Sequence, residues 1–396
     1  MRDVLVLCPQ ARDRNFVHAA ALGERYRIHF VGADLDLLTS FDPVAFLAAC
    51  MTLPADGVVG TKDRSALLAA LLAERRGLPG PSTAALIACQ HKVRSRSLQR
   101  TVVGRAVPGF AVANERRDFR PPFPPPWFAK PVVGRLSQGV RRLDGLAELE
   151  LLPDTDGYGS SYADIAELAG LPRGEVGGYL IEELAAGMEV TLEGYVHEGR
   201  VRVIGITDSV KYPGTNSFER FEYPSALPPE RQAELAELTR RVLPALGFDG
   251  GFFNVEFLVP EQGPTTLIEV NGRIASQFSP LVRAVHGRST YDALFALACG
   301  EDPDWEERPP TGVAVSYVLR TFSDGFVESV PEPQEGVEIL VRPGLRLSQQ
   351  GLNDVESYRL AIVYEAAETR EEALRRGRER AAALPFRLQR APLRTA

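Results

Sequence analysis

Short apolar runs alternate with amphipathic stretches at the start of the chain. The runs Asp3–Leu7, Arg27–Val31 and Asp56–Gly60 have the length and β-branched content of buried strands. The segments Phe16–Tyr26 and Arg64–Arg76 predict helices. Strands that alternate with helices predict right-handed βαβ units and a parallel sheet. No G-x-G-x-x-G follows the first strand, so the pattern does not indicate a dinucleotide site.

The middle of the chain has a different pattern, in which apolar and polar residues alternate. This pattern in Tyr179–Glu183, Glu189–His197 and Arg200–Thr207 predicts antiparallel strands. The same part of the chain predicts one amphipathic helix and two further strands, at Pro228–Leu246, Phe252–Val259 and Thr265–Val270. From about Thr311 the chain mixes short strands with one charged helix, Arg370–Leu384.

Length and composition describe an ordinary globular chain. With 396 residues, 44% of them hydrophobic and 24% charged, the chain suits two or three packed subdomains. Its formal net charge is -7 and it has no dense Lys/Arg block, so we expect neither nucleic acid nor a membrane as a partner. The apolar run Val4–Leu7 is too short to span a bilayer.

The cysteines and histidines give no sign of a zinc site or of disulfides. Four cysteines lie far apart without a C-x-x-C pair, and the five histidines are equally scattered. We therefore expect a reduced, cytoplasmic protein.

The segments Phe253–Phe257 and Leu267–Asn271 hold the most informative polar side chains. Alternation along a strand places Glu269 and Asn271 on one face, and places Glu256 opposite its apolar neighbours. Two neighbouring strands would then direct two carboxylates and an amide oxygen to one point, which suits Mg²⁺ shared with phosphates. Taken singly, each acid could equally lie on a solvated strand face.

Arg273 follows two residues after Asn271, just past the predicted strand end. From there a guanidinium could reach a charged intermediate. The alternative is a surface arginine that caps a loop.

A lysine and a Gly/Ser loop form a second group, Lys130 followed by Gly134, Ser137 and Gly139. Glycines let the backbone approach an anion closely, and a lysine supplies a point charge to phosphates. Because glycine-containing hairpins are common, this pattern alone does not decide the function.

A third group of polar residues follows the strand Tyr179–Glu183. Backbone groups at Glu183 and Ala185 could meet an adenine, and Glu189 could bind ribose hydroxyls. A charged linker would show the same string of acids. Lys92 begins a basic helix, which is most often a solvated face.

These groups occur in an order that resembles the ATP-grasp superfamily. A lysine comes first, then a lysine with a Gly/Ser loop, then Glu-Glu with a later Glu, and finally Glu with Glu-x-Asn. The resemblance runs from about Gly77 to Gly300, and the chain looks like the carboxylate–amine ligases, which include the L-amino acid ligases. The segments Gly77–Pro81 and Glu269–Arg273 carry the most specific matches.

The resemblance implies an α/β and α+β protein with the ATP-grasp fold. We expect a parallel βαβ domain at residues 1–90, an ATP-grasp core at 91–300 with a lid at about 95–183, and a C-terminal α+β subdomain at 301–396 that completes the core.

The resemblance also implies binding roles for the candidate residues. Lys92 and Lys130 would contact the phosphates of ATP, and Gly134–Gly139 would form the lid loop. Glu182, Glu183 and Ala185 would face the adenine, and Glu189 the ribose. The metal ligands, for two Mg²⁺ ions, would be Glu256, Glu269 and Asn271, and the catalytic residues would be Arg273 and Lys211.

The implied reaction joins a small carboxylate, activated by ATP as an acyl phosphate, to an amine. The segment Ile274–Gln277 departs from the Gly pair that the family often has there, which puts the usual amino-acid substrate in doubt. Two alternatives stay open: a biotin-carboxylase-like or nucleotide-pathway ATP-grasp enzyme that uses carboxyphosphate, and an ATP-binding module without chemistry. The partners would be small molecules and, at most, a second copy of the chain.

Overall fold

The computed structural model describes residues 1–114, 118–134, 139–306, 309–350 and 357–390. For residues 156–161 and 390 it describes the backbone alone. Among the helices in these ranges, none combines the length and the apolar character that crossing a membrane requires. All four cysteines are buried and free.

Strands and helices alternate in the first part of the chain. In order they are β1 (Arg2–Leu7), α1 (Ala11–Ala19), β2 (Tyr26–Val31), α2 (Pro43–Cys50), β3 (Gly57–Val59), α3 (Asp63–Arg76), α4 (Thr83–Gln90) and α5 (Lys92–Val103). They are followed by β4 (Phe110–Ala113), β5 (Trp127–Pro131), β6 (Arg141–Leu143), α6 (Leu146–Glu150), α7 (Asp156–Leu168) and β7 (Tyr179–Glu183).

Long antiparallel strands dominate the rest of the chain. They and their helices are β8 (Met188–His197), β9 (Arg200–Lys211), β10 (Phe218–Tyr223), α8 (Pro229–Ala245), β11 (Gly251–Val259), β12 (Thr266–Asn271), α9 (Ser279–His286) and α10 (Thr290–Ala298). The last elements are β13 (Val313–Thr321), β14 (Gly325–Ser329), β15 (Val337–Ile339), β16 (Tyr358–Ala367), α11 (Arg370–Ala382) and β17 (Arg387–Arg390).

The chain forms two compact units, and neither is continuous in sequence. The first unit consists of Met1–Ile206, Leu227–Ser279 and Ser289–Glu307. The second consists of Thr207–Ala226, Pro280–Arg288 and Arg308–Ala396. The predicted domain boundaries at residues 90 and 300 stay predictions.

The first unit contains the predicted parallel sheet, with strand order β2-β1-β3. Val4 pairs with Ile28 on one side and with Gly57 on the other, and both pairings are parallel. Val4–Leu7 is fully enclosed, as expected for a strand covered on both faces. The predicted helix Phe16–Tyr26 is wrong at its end, because α1 stops at Ala19 and Tyr26 begins β2.

The physical reason for this early stop lies in the turn that follows α1. Ala21 has a left-handed backbone with φ of 53°, which ends a right-handed helix. Tyr26 is then buried as the first residue of β2, with its ring edge-on to that of Phe295.

Two antiparallel sheets complete the first unit. One has the order β4-β7-β5-β6, and the other the order β12-β11-β8 followed by the first half of β9. Fully buried side chains of Phe253, Val255 and Phe257 alternate with polar ones along β11, so one face of this strand carries the core. The other face is left for polar side chains.

The second unit is built on its own antiparallel strands. They run from the second half of β9 through β10, β13 and β16 to β15, and β14 pairs separately with β17. Helix α11 covers this sheet, and Ala373 packs in a core with Val315, Tyr317 and Val363.

Candidate functional site

The hairpin of β11 and β12 presents the polar face that the sequence predicted. Glu256 pairs with Glu269, and Asn254 pairs with Asn271, in antiparallel register. Residues directly opposite each other on a sheet share a face, so both glutamates and both asparagines point the same way. The expectation that Glu256, Glu269 and Asn271 share one face is confirmed, and their role as metal ligands stays a prediction.

Like charges face each other in this hairpin. Burial is the largest effect that raises the pKa of Glu256, and the carboxylates of Glu269 and Glu189 raise it further. The positive charges of Arg273 and Lys130 offset only part of this increase in pKa. A divalent cation would relieve the repulsion, because two carboxylates would then share a positive charge.

The turn after β12 brings Arg273 to this face. Its Nε donates to Asp63 Oδ1 at 2.6 Å, and its Nη2 donates to Asn271 Oδ1 at 3.3 Å. Burial lowers the pKa of Arg273, but the carboxylates of Asp63, Glu256 and Glu269 together outweigh it, and the net pKa is raised. A Cβ on Gly272 would come within 2.6 Å of Leu86, so close packing requires glycine just before Arg273.

Lys92 occupies the first position of helix α5, as predicted. The start of the helix is fixed by His91, whose Nδ1 accepts from Arg94 N at 3.2 Å. The backbone N of Lys92 donates to Val132 O at 3.0 Å, and its Nζ donates to Gly134 O at 3.2 Å. The same Nζ lies 4.0 Å from Glu269 Oε2.

A buried group of three charges lies beside this lysine. Glu182 Oε2 is 2.8 Å from Lys130 Nζ, and the carboxylate also accepts from the guanidinium of Arg96. Burial alone would raise the pKa of Glu182, but Lys130 and Arg96 outweigh it and lower it to about 2. The carboxylate is thus neutralised by two cations, so a contact of Glu182 with adenine would need its backbone.

The other predicted nucleotide-binding residues lie where strands meet loops. Glu183 is exposed and its Oε2 accepts from Gly109 N at 2.7 Å, whereas Ala185 is partly buried in the turn before β8. Glu189 pairs with Leu258 across β8 and β11. Leu258 is two strand positions from Glu256, so Glu189 and Glu256 lie on the same face of the sheet. The roles predicted for these residues stay predictions.

Two further predictions concern the lid loop Gly134–Gly139 and the second catalytic candidate, Lys211. Gly134 accepts from Lys92, Gly139 has a left-handed φ of 69°, and Ser137 lies outside the described residues. Lys211 belongs to the second unit, where its Nζ lies 5.6 Å from the ring centre of Phe218. Its predicted phosphate contact stays a prediction.

Three further residues of this site were not recognised in the sequence. Arg96 is one helical turn after Lys92, and Asn254 is two strand positions before Glu256, so spacing could have indicated both. Asp63 could not be found in this way, because 210 residues separate it from Arg273.

The side chains on the hairpin fit Mg²⁺ better than a softer metal. In the described ranges, no group of three or more His, Cys, Asp and Glu side chains is arranged to hold a metal ion. A site would instead combine the carboxylates of Glu256 and Glu269 with the amide oxygen of Asn271. Such hard oxygen donors suit Mg²⁺, which also takes ligands from water and phosphate.

Comparison with known proteins identifies the fold. Residues 123–280 match the sequence model of the ATP-grasp domain. The L-amino acid ligase of Bacillus licheniformis has a similar structure, with a TM-score of 0.79, 19% identity, and coverage of 98% of this chain and 99% of that one. The biotin carboxylase domain of the Hydrogenobacter thermophilus 2-oxoglutarate carboxylase follows with a TM-score of 0.73, 15% identity, and coverage of 98% and 92%.

A curated relative is more similar in sequence. Carnosine synthase 1 of Gallus gallus is 28% identical over 356 residues, which cover 82% of this chain but 38% of that protein. The chain therefore spans about two fifths of the length of this relative.

Together, the polar hairpin, the two lysines and these matches define the class. Residues 123–280 form an ATP-grasp domain, and the chain has the ATP-grasp fold. The predicted resemblance to the superfamily and the predicted fold are confirmed.

Proposed function

We propose that this protein is an ATP-dependent ligase that activates a small carboxylate and couples it to an amine. The observation that supports this proposal most directly is the hairpin of β11 and β12, where Glu256 faces Glu269 and Arg273 lies just beyond Asn271. Acids, an amide and a guanidinium gathered on one face suit phosphoryl transfer, which depends on positioning and on charge stabilisation.

The two lysines would bind the phosphates of ATP. The backbone N and the Nζ of Lys92 both donate to carbonyls in the segment that follows β5, so its position is fixed before ATP binds. Lys130 lies on β5 against Glu182. Backbone groups of Glu183 and Ala185 would meet the adenine, and Glu189 would bind the ribose.

Glu256, Glu269 and Asn271 would hold Mg²⁺, and we propose two ions. When bound, Mg²⁺ would neutralise the negative charge of the phosphates. Arg273 would hold the transferred phosphoryl group.

The reaction would proceed in two steps. A carboxylate oxygen attacks the γ-phosphorus of ATP, which gives an acyl phosphate and ADP. The amine nitrogen then attacks the acyl carbon, loses a proton and displaces phosphate. The chain's cationic side chains would stabilise the charge that develops on the transferred group, so no covalent intermediate with the protein is needed.

The comparisons support the amine as acceptor. One of the similar proteins is named as a ligase of L-amino acids and the other as a synthase of carnosine. The partial coverage of the synthase and the low identity to the ligase leave the substrates of this chain as proposals. The side chains of Ile274–Gln277 follow Arg273 directly and could shape the pocket for the acyl group.

The proposal is tested by ADP release from Mg·ATP with a panel of carboxylates and amines, with and without bicarbonate. We expect release that requires one carboxylate and rises with one amine, together with a condensed product by mass spectrometry. Release that occurs only with bicarbonate would favour carboxyphosphate chemistry instead. Tight ATP binding without any release would favour a non-catalytic module.

A further inference from the structure

We propose that Asn254 is a positioning residue that sets which end of the Asn271 amide is available to a metal ion. The proposal rests on the Mg²⁺ site proposed above. An amide binds a cation through its oxygen and not through its NH₂ group. Asn271 can therefore act as a ligand only if its side chain is held in one of its two orientations.

The orientation of Asn254 is determined by a backbone carbonyl. One end of its amide lies 2.9 Å from Arg273 O. A carbonyl oxygen can only accept a hydrogen bond, so this end must be the donor Nδ2. The other end, Oδ1, then faces the neighbouring strand as an acceptor.

The orientation of Asn271 follows from that of Asn254. The two side chains meet across β11 and β12 at 2.9 Å. Because Asn254 presents Oδ1, the facing atom of Asn271 must be Nδ2, which also lies 3.2 Å from Glu256 Oε1. Oδ1 of Asn271 is then left on the side of Arg273.

An independent contact at the other end of this amide gives the same orientation. Arg273 Nη2 lies 3.3 Å from Asn271 Oδ1, and a guanidinium can only donate. If the amide of Asn271 were reversed, a donor would face Arg273 and an acceptor would face both Asn254 Oδ1 and Glu256. Three contacts would become repulsive at once.

The carbonyl on which this orientation depends is itself held in place. Glu193 pairs with Asn254 from β8, and its Oε1 accepts from Ala275 N at 3.1 Å. Glu193 and Asn254 thus bind the backbone on the two sides of Ile274. Asn254 and Asn271 are 1% and 3% exposed, so solvent does not compete for their hydrogen bonds.

The decisive test replaces Asn271 with a side chain that can bind a cation in either orientation. An aspartate at position 271 has two oxygens, so its ability to bind a cation does not depend on Asn254. We would compare Asn254→Leu in the Asn271 background and in the Asn271→Asp background. The readout is the affinity for Mn²⁺ in the presence of ADP, measured by electron paramagnetic resonance.

We expect Asn254→Leu to weaken Mn²⁺ binding by roughly tenfold to a hundredfold when Asn271 is present, the usual effect of losing a residue that orients a ligand. In the Asn271→Asp background the loss should be clearly smaller. Equal losses in both backgrounds would overturn the proposal, since a residue with only a structural role acts additively. Thr191→Val is the matched control, because Thr191 is buried on the other side of Glu256 and should act equally in both backgrounds.

A second measurement needs no substitution at Asn254. In the metal-free protein labelled with ¹⁵N-asparagine, both side-chain amide protons of Asn271 should exchange slowly, because they are donated to Asn254 and Glu256. The signal can be assigned by its loss in Asn271→Asp. Fast exchange would overturn the proposal. If the unsubstituted protein did not bind Mn²⁺ with ADP at all, the proposed function would fail instead.

Discussion

Two carboxylates of the first unit, Glu182 and Glu256, differ in how their charge is balanced. Glu182 is buried between Lys130 and Arg96, and its pKa is lowered to about 2. Glu256 faces Glu269, and burial and that neighbour raise its pKa. The first carboxylate has its counter-charges within the protein, whereas Arg273 and Lys130 offset only part of the repulsion at the second.

From this difference we infer that Glu182 stabilises the fold and that Glu256 is a candidate ligand of a cation. A buried carboxylate paired with two cations stabilises the native state only as long as all partners remain. A pair of facing carboxylates destabilises it until a cation binds, which is a feature of functional sites. Substitutions at the two positions should therefore have opposite effects on stability.

The largest effect should follow from Glu269→Ala, which removes a predicted metal ligand. We expect no detectable substrate-dependent ADP release, with an unchanged far-ultraviolet circular dichroism spectrum. Binding of ADP in the presence of EDTA serves as the control, since it does not need the metal. Full ADP release in this variant would disprove the assignment of the site.

Glu182→Gln should lower the free energy of unfolding by about 3–5 kcal/mol, because it leaves two buried cations without a counter-charge. Urea unfolding measures this. The control is Glu175→Gln, whose partner Arg94 is 41% exposed and whose ion pair should contribute less than about 1 kcal/mol. Similar losses in both variants would mean that burial does not distinguish these pairs.

Arg273→Ala should slow turnover by roughly 10²–10³, the effect of losing one group that stabilises developing charge. Steady-state ADP release under saturating Mg·ATP measures it. Arg94→Ala, which removes an exposed arginine two residues from Lys92, should leave the rate nearly unchanged. An unchanged rate in Arg273→Ala would make Arg273 a structural residue.

The pH dependence should separate the two carboxylates without any substitution. Glu256 must lose its proton to bind Mg²⁺, and its pKa is raised, so Mg²⁺ affinity should fall already at a pH well above 4.5. Glu182 has a lowered pKa, so the stability it contributes is present above pH 4.5 and is lost as the pH falls towards 2. Calorimetric titration of Mg·ADP and urea unfolding across pH would show two separate windows; a single common transition would contradict the comparison.

The smallest effect should be a gain in stability. Glu256→Gln keeps the shape of the side chain and removes one of two like charges opposite each other on the hairpin. In the absence of metal we expect a rise of about 0.2–1 kcal/mol in the free energy of unfolding. Thermal unfolding in EDTA measures it, and a clear loss would mean that Glu256 already has a sufficient counter-charge in the protein.

Periodicity was enough to predict the polar hairpin but not its surroundings. Alternation placed Glu256, Glu269 and Asn271 on one face because a strand repeats every two residues, and the register confirms this. The helix that starts at Lys92 was also predicted. Helix Phe16–Tyr26 was wrong, because a left-handed residue at Ala21 interrupts a segment whose composition suits a helix.

The features that were not predicted depend on long-range contacts. Arg96 reaches Glu182 over 86 residues, and Arg273 reaches Asp63 over 210. Such pairs are determined by the packing of whole elements, which local spacing does not contain. The ordered resemblance to a superfamily supplied the two lysines and the candidate metal ligands, but it gave no information on which buried partners hold them.

The contact between Asp63 and Arg273 also limits how this protein can be recombined with its relatives. Asp63 is the first residue of α3, directly after the parallel sheet, whereas Arg273 follows the polar hairpin. A chimera in which a relative's segment replaced the first ninety residues would need an acidic residue at the position of Asp63. Without it, the guanidinium of Arg273, whose side chain is 22% exposed, would lose its ion-pair partner. The N-terminal segment therefore contributes a residue to the candidate site, and an exchange of this segment would have to preserve that residue.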